Sequence, residues 1–335
     1  MIPFSILDLS PVVEGGTVTE SFANSAKLAQ AGERLGYNRF WLAEHHGMEG
    51  IASAATSVVI GHVAAATRTI RVGAGGIMLP NHAPLLIAEQ FGTLDALFPG
   101  RIDLGLGRAP GSDGIVAQAM KRDLRAAAER FPQDVQELMD YFAGTAAVTA
   151  TPGAGADVPV WMLGSSLYGA QVAAHFGLPY AFASHFAPAA MMQAIQIYRE
   201  RFQPSKQLDR PYVMLGFNII AADTDEEAQY LATSLLQAFV NLGRGMPGKL
   251  PKPVEGYHDM LPPDAKARLA GVLSASAIGA PGTVADATSA FLEQTGADEL
   301  IIAGSVHDFD KKLRSYEIAA NVRAVLETQA EKAAA

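Results

Sequence analysis

Apolar residues in this chain gather in short uninterrupted runs, and between the runs lie stretches with apolar positions at mixed three- and four-residue spacing. The runs are ILDLS (6–10), GYNRFWLAEH (36–45), TRTIRVGAGGIML (67–79), FPGRIDLGLGR (98–108), VPVWMLGSS (158–166), GLPYAFASH (177–185), YVMLGFNIIAA (212–222) and GADELIIAGS (296–305). Apolarity at consecutive positions, without alternation, predicts strands buried on both faces, as in a parallel sheet. Four of the eight runs open at Gly or Pro-Gly. Glycine takes the left-handed conformation that ends a helix and turns the chain into the next strand. The intervening stretches predict helices over 19–35, 54–66, 83–97, 124–142, 168–176, 188–202, 225–239 and 283–294. Acidic residues between Asp223 and Glu227 lead into one of them, where the helix dipole favours negative charge.

Strands alternating with helices in this way predict an α/β protein with an all-parallel sheet. At about 30 residues per unit, eight units need roughly 240 residues. The remainder of the 335 fits loops, so the expected architecture is a single (β/α)8 TIM barrel with insertions, spanning 1–327. A doubly wound sheet is the alternative. Two segments break the rhythm. Residues 144–157 are small and turn-rich, and 241–276 form a Gly-, Pro- and Lys-rich irregular insertion, either a functional lid or a disordered loop. The tail 328–335 is expected to fray.

Composition narrows the chemistry. With 49% apolar and 18% charged residues, the chain can bury a large core and is not a disordered polymer. A formal charge of −9 argues against nucleic-acid or anionic-membrane surfaces, while leaving room for a local basic pocket. There is no cysteine, which excludes disulfides, thiolate metal sites, iron–sulfur clusters and cysteine nucleophiles. Redox chemistry would therefore need a bound cofactor. The first residues carry no basic stretch, and no apolar run reaches about 18 residues, so a cytoplasmic protein without a membrane partner is expected.

In a barrel the C-terminal strand ends carry the chemistry. Those positions here read Asp8 and Ser10; Glu44, His45 and His46; Gly75 and Gly76; Gly107 and Arg108; Gly164, Ser165 and Ser166; Ser184 and His185; Asn218; and Gly304 and Ser305. Adjacent strand residues face opposite ways, so His45 and His46 do not chelate one metal, and no metal site is expected. One imidazole can face the mouth as an acid/base or a donor, beside Glu44. The glycines of VGAGGIMLP (72–80) allow close approach of a flat ligand, or else mark a bulge. Arg108 calls for an anion, either a phosphate or the side chain of Asp103 or Asp113. GSSLYGA (164–170) opens a helix and offers either an anion site or ordinary capping by Ser165 or Ser166. Arg108 and this serine loop can converge on one phosphate. The glycines at 105, 107 and 111 do not fit the dinucleotide G-x-G-x-x-G spacing, GSSLYG misses G-x-S-x-G by one residue, and no Walker A sequence is present.

These residues resemble the bacterial luciferase-like flavin monooxygenases, and the likeness runs through most of the chain. It rests on ILDLSPV (6–12), FWLAEHH (40–46), the block from Ile70 to Gly111, GSSLYGAQVAAHFGLPYAFASHFAP (164–188) and RSYEI (314–318). The resemblance implies a barrel that binds reduced FMN against a cis peptide at Gly75-Gly76. It implies that Arg108, Gly164, Ser165, Ser166 and Tyr168 hold the phosphate, and that His45 is the acid/base with Glu44 nearby. The implied reaction is addition of dioxygen to the flavin 4a carbon and passage of one oxygen from the resulting hydroperoxide to a small organic substrate. A separate NAD(P)H:flavin reductase and a homodimer are implied with it. Two positions depart from the luciferase subunit: Gly107 stands where a reactive cysteine precedes the arginine, and Gly164 where a glutamate precedes the serine. Light emission is therefore not expected. GAPGT (279–283), near the usual barrel phosphate site, ranks second for want of a basic residue. Three other readings stay open: a deazaflavin-dependent reductase or dehydrogenase on the same barrel, a non-catalytic flavin-binding protein, and a flavin-free aldolase or isomerase. The last lacks a lysine at any strand end, since Lys206 and Lys249–Lys252 fall in loops.

Overall fold

A computed structural model describes residues 2–109, 114–121 and 123–334. Its strands are β1 (Phe4–Leu7), β2 (Arg39–Leu42), β3 (Arg71–Met78), β4 (Ile102–Gly107), β5 (Val160–Gly164), β6 (Tyr180–Phe182), β7 (Val213–Ala221), β8 (Ser276–Gly279) and β9 (Glu299–Ala303). The helices are α1 (Val18–Arg34), α2 (Thr56–Ala66), α3 (Pro84–Leu97), α4 (Gly114–Ala119), α5 (Leu124–Glu129), α6 (Phe131–Ala143), α7 (Leu167–Phe176), α8 (Met191–Arg201), α9 (Asp225–Gly243), α10 (Tyr257–Met260), α11 (Pro263–Val272), α12 (Pro281–Thr295) and α13 (Phe309–Ala334). Pairing runs β6-β5-β4-β3-β2-β1-β9-β7, and β6 also pairs with β7, which closes eight parallel strands into a barrel. This is the (β/α)8 fold that the apolar runs predict.

The departures have local causes. Beyond Asn218, which still pairs with Ala303 of β9, strand β7 runs on to Ala221, and Asn218–Ala221 pair with β8, a four-residue strand inside a stretch whose Gly and Pro content reads as loop. The 241–276 segment carries α10 and α11 rather than being irregular throughout, and α11 buries Ala265 and Leu269 against Leu236 of α9. Its residue Leu250 pairs with Val13, and Gly248 abuts Gly50 so closely that a side chain at Gly50 has no room. The segment is thus pinned over the loops that follow β1 and β2. The helix read as 124–142 divides into α5 and α6 at Pro132, which occupies the first turn of α6 where its missing N–H costs nothing. Helix α13 continues to Ala334, through the tail expected to fray.

Two apolar layers hold the barrel. The outer one lies between strands and helices. The inner one consists of Leu7, Trp41, Ala43, Trp161, Ala181, Met214 and Ile301. Trp41 meets Trp161 edge to face at 5.1 Å. Beneath them, at the N-terminal strand ends, sits a buried charge layer. Arg39 pairs with Asp103 at 2.7 Å and Glu299 at 2.8 Å, and Arg71 pairs with Asp103 at 2.6 Å. Tyr212 donates its hydroxyl to Glu299 at 2.9 Å, Ser5 also donates to Glu299, and Arg39 lies 4.7 Å over Trp161. Buried carboxylates are tolerable only when paired and hydrogen-bonded, and both meet that condition. The layer plugs the N-terminal end of the barrel interior, which leaves the C-terminal rim as the open end of that interior. Among the described residues no helix is long and apolar enough to cross a membrane.

Candidate active site

Strands β3 and β4 form a wall of the barrel mouth that carries almost no side chains. The Gly75-Gly76 peptide is cis, at the position the family resemblance implied, and the β3–β4 register shifts between Gly75 and Ile77. A Cβ on Gly75 would lie 2.8 Å from the Trp41 ring, and one on Gly76 would lie 2.7 Å from the carbonyl oxygen of Gly105. A Cβ on Gly105 would overlap the carbonyl of Ala74 and the side chain of Leu163, and one on Gly107 would come 2.9 Å from Met78 Sδ. Glycine is required here by space, and backbone lines the wall.

The residues after β2 divide by face, as strand alternation demands. Glu44 turns toward the end of β3 and is 1% exposed. Its carboxylate accepts from the Met78 N–H at 2.8 Å, Asn81 Nδ2 at 2.9 Å, His46 Nε2 at 2.7 Å and His82 Nε2 at 3.0 Å. Burial pushes its pKa upward, but the donors from His82, Asn81 and His46 outweigh burial and hold it below the usual carboxylate range. Glu44 therefore fixes the β3 terminus as an anion. His45 follows Trp41 and Ala43, both members of the inner layer, and so faces the mouth. Its Nδ1 is sealed from solvent without a hydrogen-bond partner, and burial lowers its pKa. Sequence reasoning did not single out Asn81 and His82, whose signal was the NHAP stretch directly after the glycine run.

Arg108 lies at the end of β4 with its guanidinium 4.1 Å over the Tyr168 ring. The Arg108 side chain is exposed, because β4 ends at Gly107 and Arg108 already lies beyond the barrel rim. Its candidate structural partner Asp103 is taken by Arg39 and Arg71 instead, and Asp113 lies outside the described residues. Ser166 occupies the N-cap of α7 without a side-chain capping bond, so the first amides of the helix stay available. Ser165 and Ser166 are exposed, and Gly164 packs against Gly169 at the helix start. Arg108, Tyr168 and the serine loop thus converge at neighbouring strand ends. The GAPGT segment has a different occupant. Asp225 Oδ1 accepts the Ala280 N–H at 2.7 Å, so an internal carboxylate holds the α12 N-terminus. Asp8 likewise belongs to the frame, paired with Lys312 at 2.6 Å and bonded by Ser10 and Ser25.

The structure is thus of the α/β-barrel class, plugged at one end and carrying at the other a glycine wall, the His45 imidazole and the uncapped start of α7. Residues 2–299 match the family model described as luciferase-like monooxygenase, and the chain belongs to that family. It is 50% identical over 325 residues to a luciferase-like monooxygenase of Escherichia coli K12, covering 96% of this chain and 97% of that one. It is 36% identical over 238 residues to the N-acetyl-S-alkylcysteine monooxygenase of Bacillus subtilis, covering 68% and 70%. Among solved structures, apo-MsnO8 superposes with a TM-score of 0.89 at 33% identity, over 97% of this chain and 99% of that one. The fold is shared, at lower identity, with a type II Baeyer-Villiger monooxygenase in complex with FMN (TM-score 0.70, 16% identity, 96% and 97% coverage). It is shared also with an F420-dependent secondary alcohol dehydrogenase (TM-score 0.68, 13% identity, 94% and 97% coverage). Family and neighbours support an oxidoreductase.

Proposed function

We propose that this chain is a flavin-dependent monooxygenase that uses reduced FMN and dioxygen to oxygenate a small organic substrate, the reduced flavin coming from a separate NAD(P)H:flavin reductase. The observation that carries the reading is the convergence of Arg108, stacked on Tyr168, with the uncapped start of α7 and the exposed Ser165 and Ser166. A guanidinium, hydroxyls and free helix amides are a donor set for a phosphate dianion. The adjoining glycine wall suits a flat ring, since Gly75, Gly76 and Gly105 have no room for side chains against Trp41, the Gly105 carbonyl and the Ala74 carbonyl, and so present backbone alone. Bound FMN supplies the electrons and the activation of dioxygen.

The protein's part is binding, orientation and proton handling. Arg108, Gly164, Ser165, Ser166 and Tyr168 hold the phosphate end. Gly75 and Gly76 receive the ring on backbone alone, and Glu44 keeps that backbone in place through the Met78 N–H. Trp41 and Leu163 exclude water beneath the ring. His45, neutral near pH 7 because of burial, offers Nε2 for holding or accepting a proton. Gly107 in place of the luciferase cysteine supports a chemistry without light emission. Exposed Val58 of α2 and Leu86 and Leu97 of α3 support a homodimer, which sedimentation velocity tests directly.

Anaerobic fluorescence titration with photoreduced FMN, oxidised FMN and a deazaflavin tests the cofactor. Reduced FMN is expected to bind most tightly. A deazaflavin that binds better and turns over without consuming dioxygen would replace this reading with the hydride-transfer one, and failure to retain reduced FMN would sink it. With labelled dioxygen, an N-acetyl-S-alkylcysteine is a first substrate probe, chosen from the activity in the relative's name.

A further inference from the structure

We propose that His185 is a second imidazole of the reaction site, coupled to His45, and that the pair takes up a single proton when an anionic ring or oxygen atom occupies the barrel mouth. His185 follows β6. Its ring fills the space that Gly216 leaves open on β7, where a Cβ would collide with His185 Nδ1. Gly216 is two residues beyond Met214 of the inner layer, so that space is inside the barrel. Two contacts hold the loop there: Asn218 Nδ2 donates to the His185 carbonyl at 2.6 Å, and Ser184 Oγ donates to the Gly216 carbonyl at 2.6 Å. His45 reaches the same interior from β2. Both rings have a sealed Nδ1 without a partner. Neither Nε2 has a hydrogen bond among the described residues, so Nε2 is the nitrogen each ring leaves for a bound molecule. Sealed, unpaired polar atoms are uncommon in folded proteins and ask for an explanation.

The charges around the pair are few. Gly216 and Asn218 of β7 and Ser184 and Phe186 beside the ring are uncharged, and His45 is the titratable group acting on His185. His45 in turn feels Glu44, which favours its charge, and His46, which opposes it. Burial and His45 together push the His185 pKa down to about 4. Two imidazoles that oppose each other's charge titrate as one unit, and with both pKa values lowered the pair is neutral near pH 7. An anionic centre next to the two Nε2 atoms reverses the balance for one proton, drawn from solvent, while repulsion excludes a second.

The identity of the anion rests on the flavin reading; the coupling of the two rings does not. Ring resonances of the full chain, followed by NMR against pH, test the coupling in the free protein. His185 is expected to titrate well below the ordinary imidazole range and to move upward in His45→Gln. Gly216→Ala, which forces the ring from its place, should likewise restore ordinary titration if His185→Gln proves unstable. An unchanged His185 titration in His45→Gln overturns the proposal. Calorimetry in mildly alkaline buffers of different ionisation heat then counts protons. About one is expected per reduced FMN if the ring is the anion, or per acetate if a substrate oxyanion is, and none for oxidised FMN. His45→Gln/His185→Gln should abolish the uptake while phosphate-dependent binding persists. Equal uptake in that double variant, or tight binding of both probes without uptake, overturns the proposal. A protein that retains no reduced FMN but keeps the coupled titration defeats the flavin reading alone.

Discussion

Replacing Glu44 by Gln changes one atom of the side chain, and the structure makes it costly. One carboxylate oxygen accepts from His46, Asn81 and His82, and the other from the Met78 N–H and His82. An amide in the same place turns its NH2 toward a donor whichever way it is flipped. Hydrogen bonds to a charged group contribute roughly 1.5–3 kcal/mol, and stranding a buried donor costs about 1–3 kcal/mol. The expected loss is therefore about 3–5 kcal/mol, a large share of an ordinary folding free energy of about 5–15 kcal/mol. Urea unfolding of wild type and Glu44→Gln, with matched m-values, measures it. The pH dependence supplies a second check. Because the folded-state pKa of Glu44 is lowered, its contribution is fully present above the unfolded value of 4.5 and disappears as pH falls through the folded value. The gap between the two proteins should hold from neutral pH to the ordinary carboxylate range and close only below it. A gap under about 1 kcal/mol at pH 7, or one that ignores acidification, would refute the view that ionised Glu44 ties down the end of β3.

Other expectations are as specific. Arg108→Ala should weaken reduced-FMN binding by about 10–100-fold and leave riboflavin binding unchanged, because riboflavin lacks the phosphate; an equal loss for both would remove Arg108 from the phosphate site. Gly105→Ala should cost about 1–3 kcal/mol or more by thermal or urea unfolding, since its Cβ overlaps the Ala74 carbonyl; near-neutral stability contradicts the packed wall. Arg39→Met should cost about 3–5 kcal/mol by leaving Glu299 without its guanidinium. His185 binds a proton more readily unfolded, with an ordinary imidazole value of 6.5, than folded, at about 4. Stability should thus rise with pH across that window by on the order of 3 kcal/mol, and His185→Gln should flatten the rise.

Much of this was legible in the chain. Consecutive apolar runs ending in polar or glycine residues marked all eight barrel strands, because buried parallel strands need apolar residues on both faces. Strand β8 escaped because four residues within a Gly- and Pro-rich stretch pair only with the end of β7, a feature set by tertiary structure. The glycines of 72–80, Glu44 and His45 were readable as strand-end positions, whereas the exposure of Arg108 depended on where β4 stops. The partners of Asp103 arrive from Arg39 and Arg71, 64 and 32 residues earlier, and no local pattern announces such pairs. His185 is the clearest case. Its place inside the barrel depends on a side chain missing at Gly216, and that absence has meaning only once β6 and β7 are neighbours.

The glycine wall also divides the rim into a conserved-by-geometry half and a half open to variation. Gly73, Gly75, Gly76 and Gly105 each face backbone or a buried ring at distances that forbid even a methyl group. Divergence of this chain toward new substrates therefore has little freedom along β3 and β4. It must proceed through the loops after β1 and β6 and the 241–276 segment, where the chain carries exposed Phe186, Met246 and Met260. A library randomised in those loops should keep its fold and change its choice of substrate, whereas one randomised on the wall should yield few folded members.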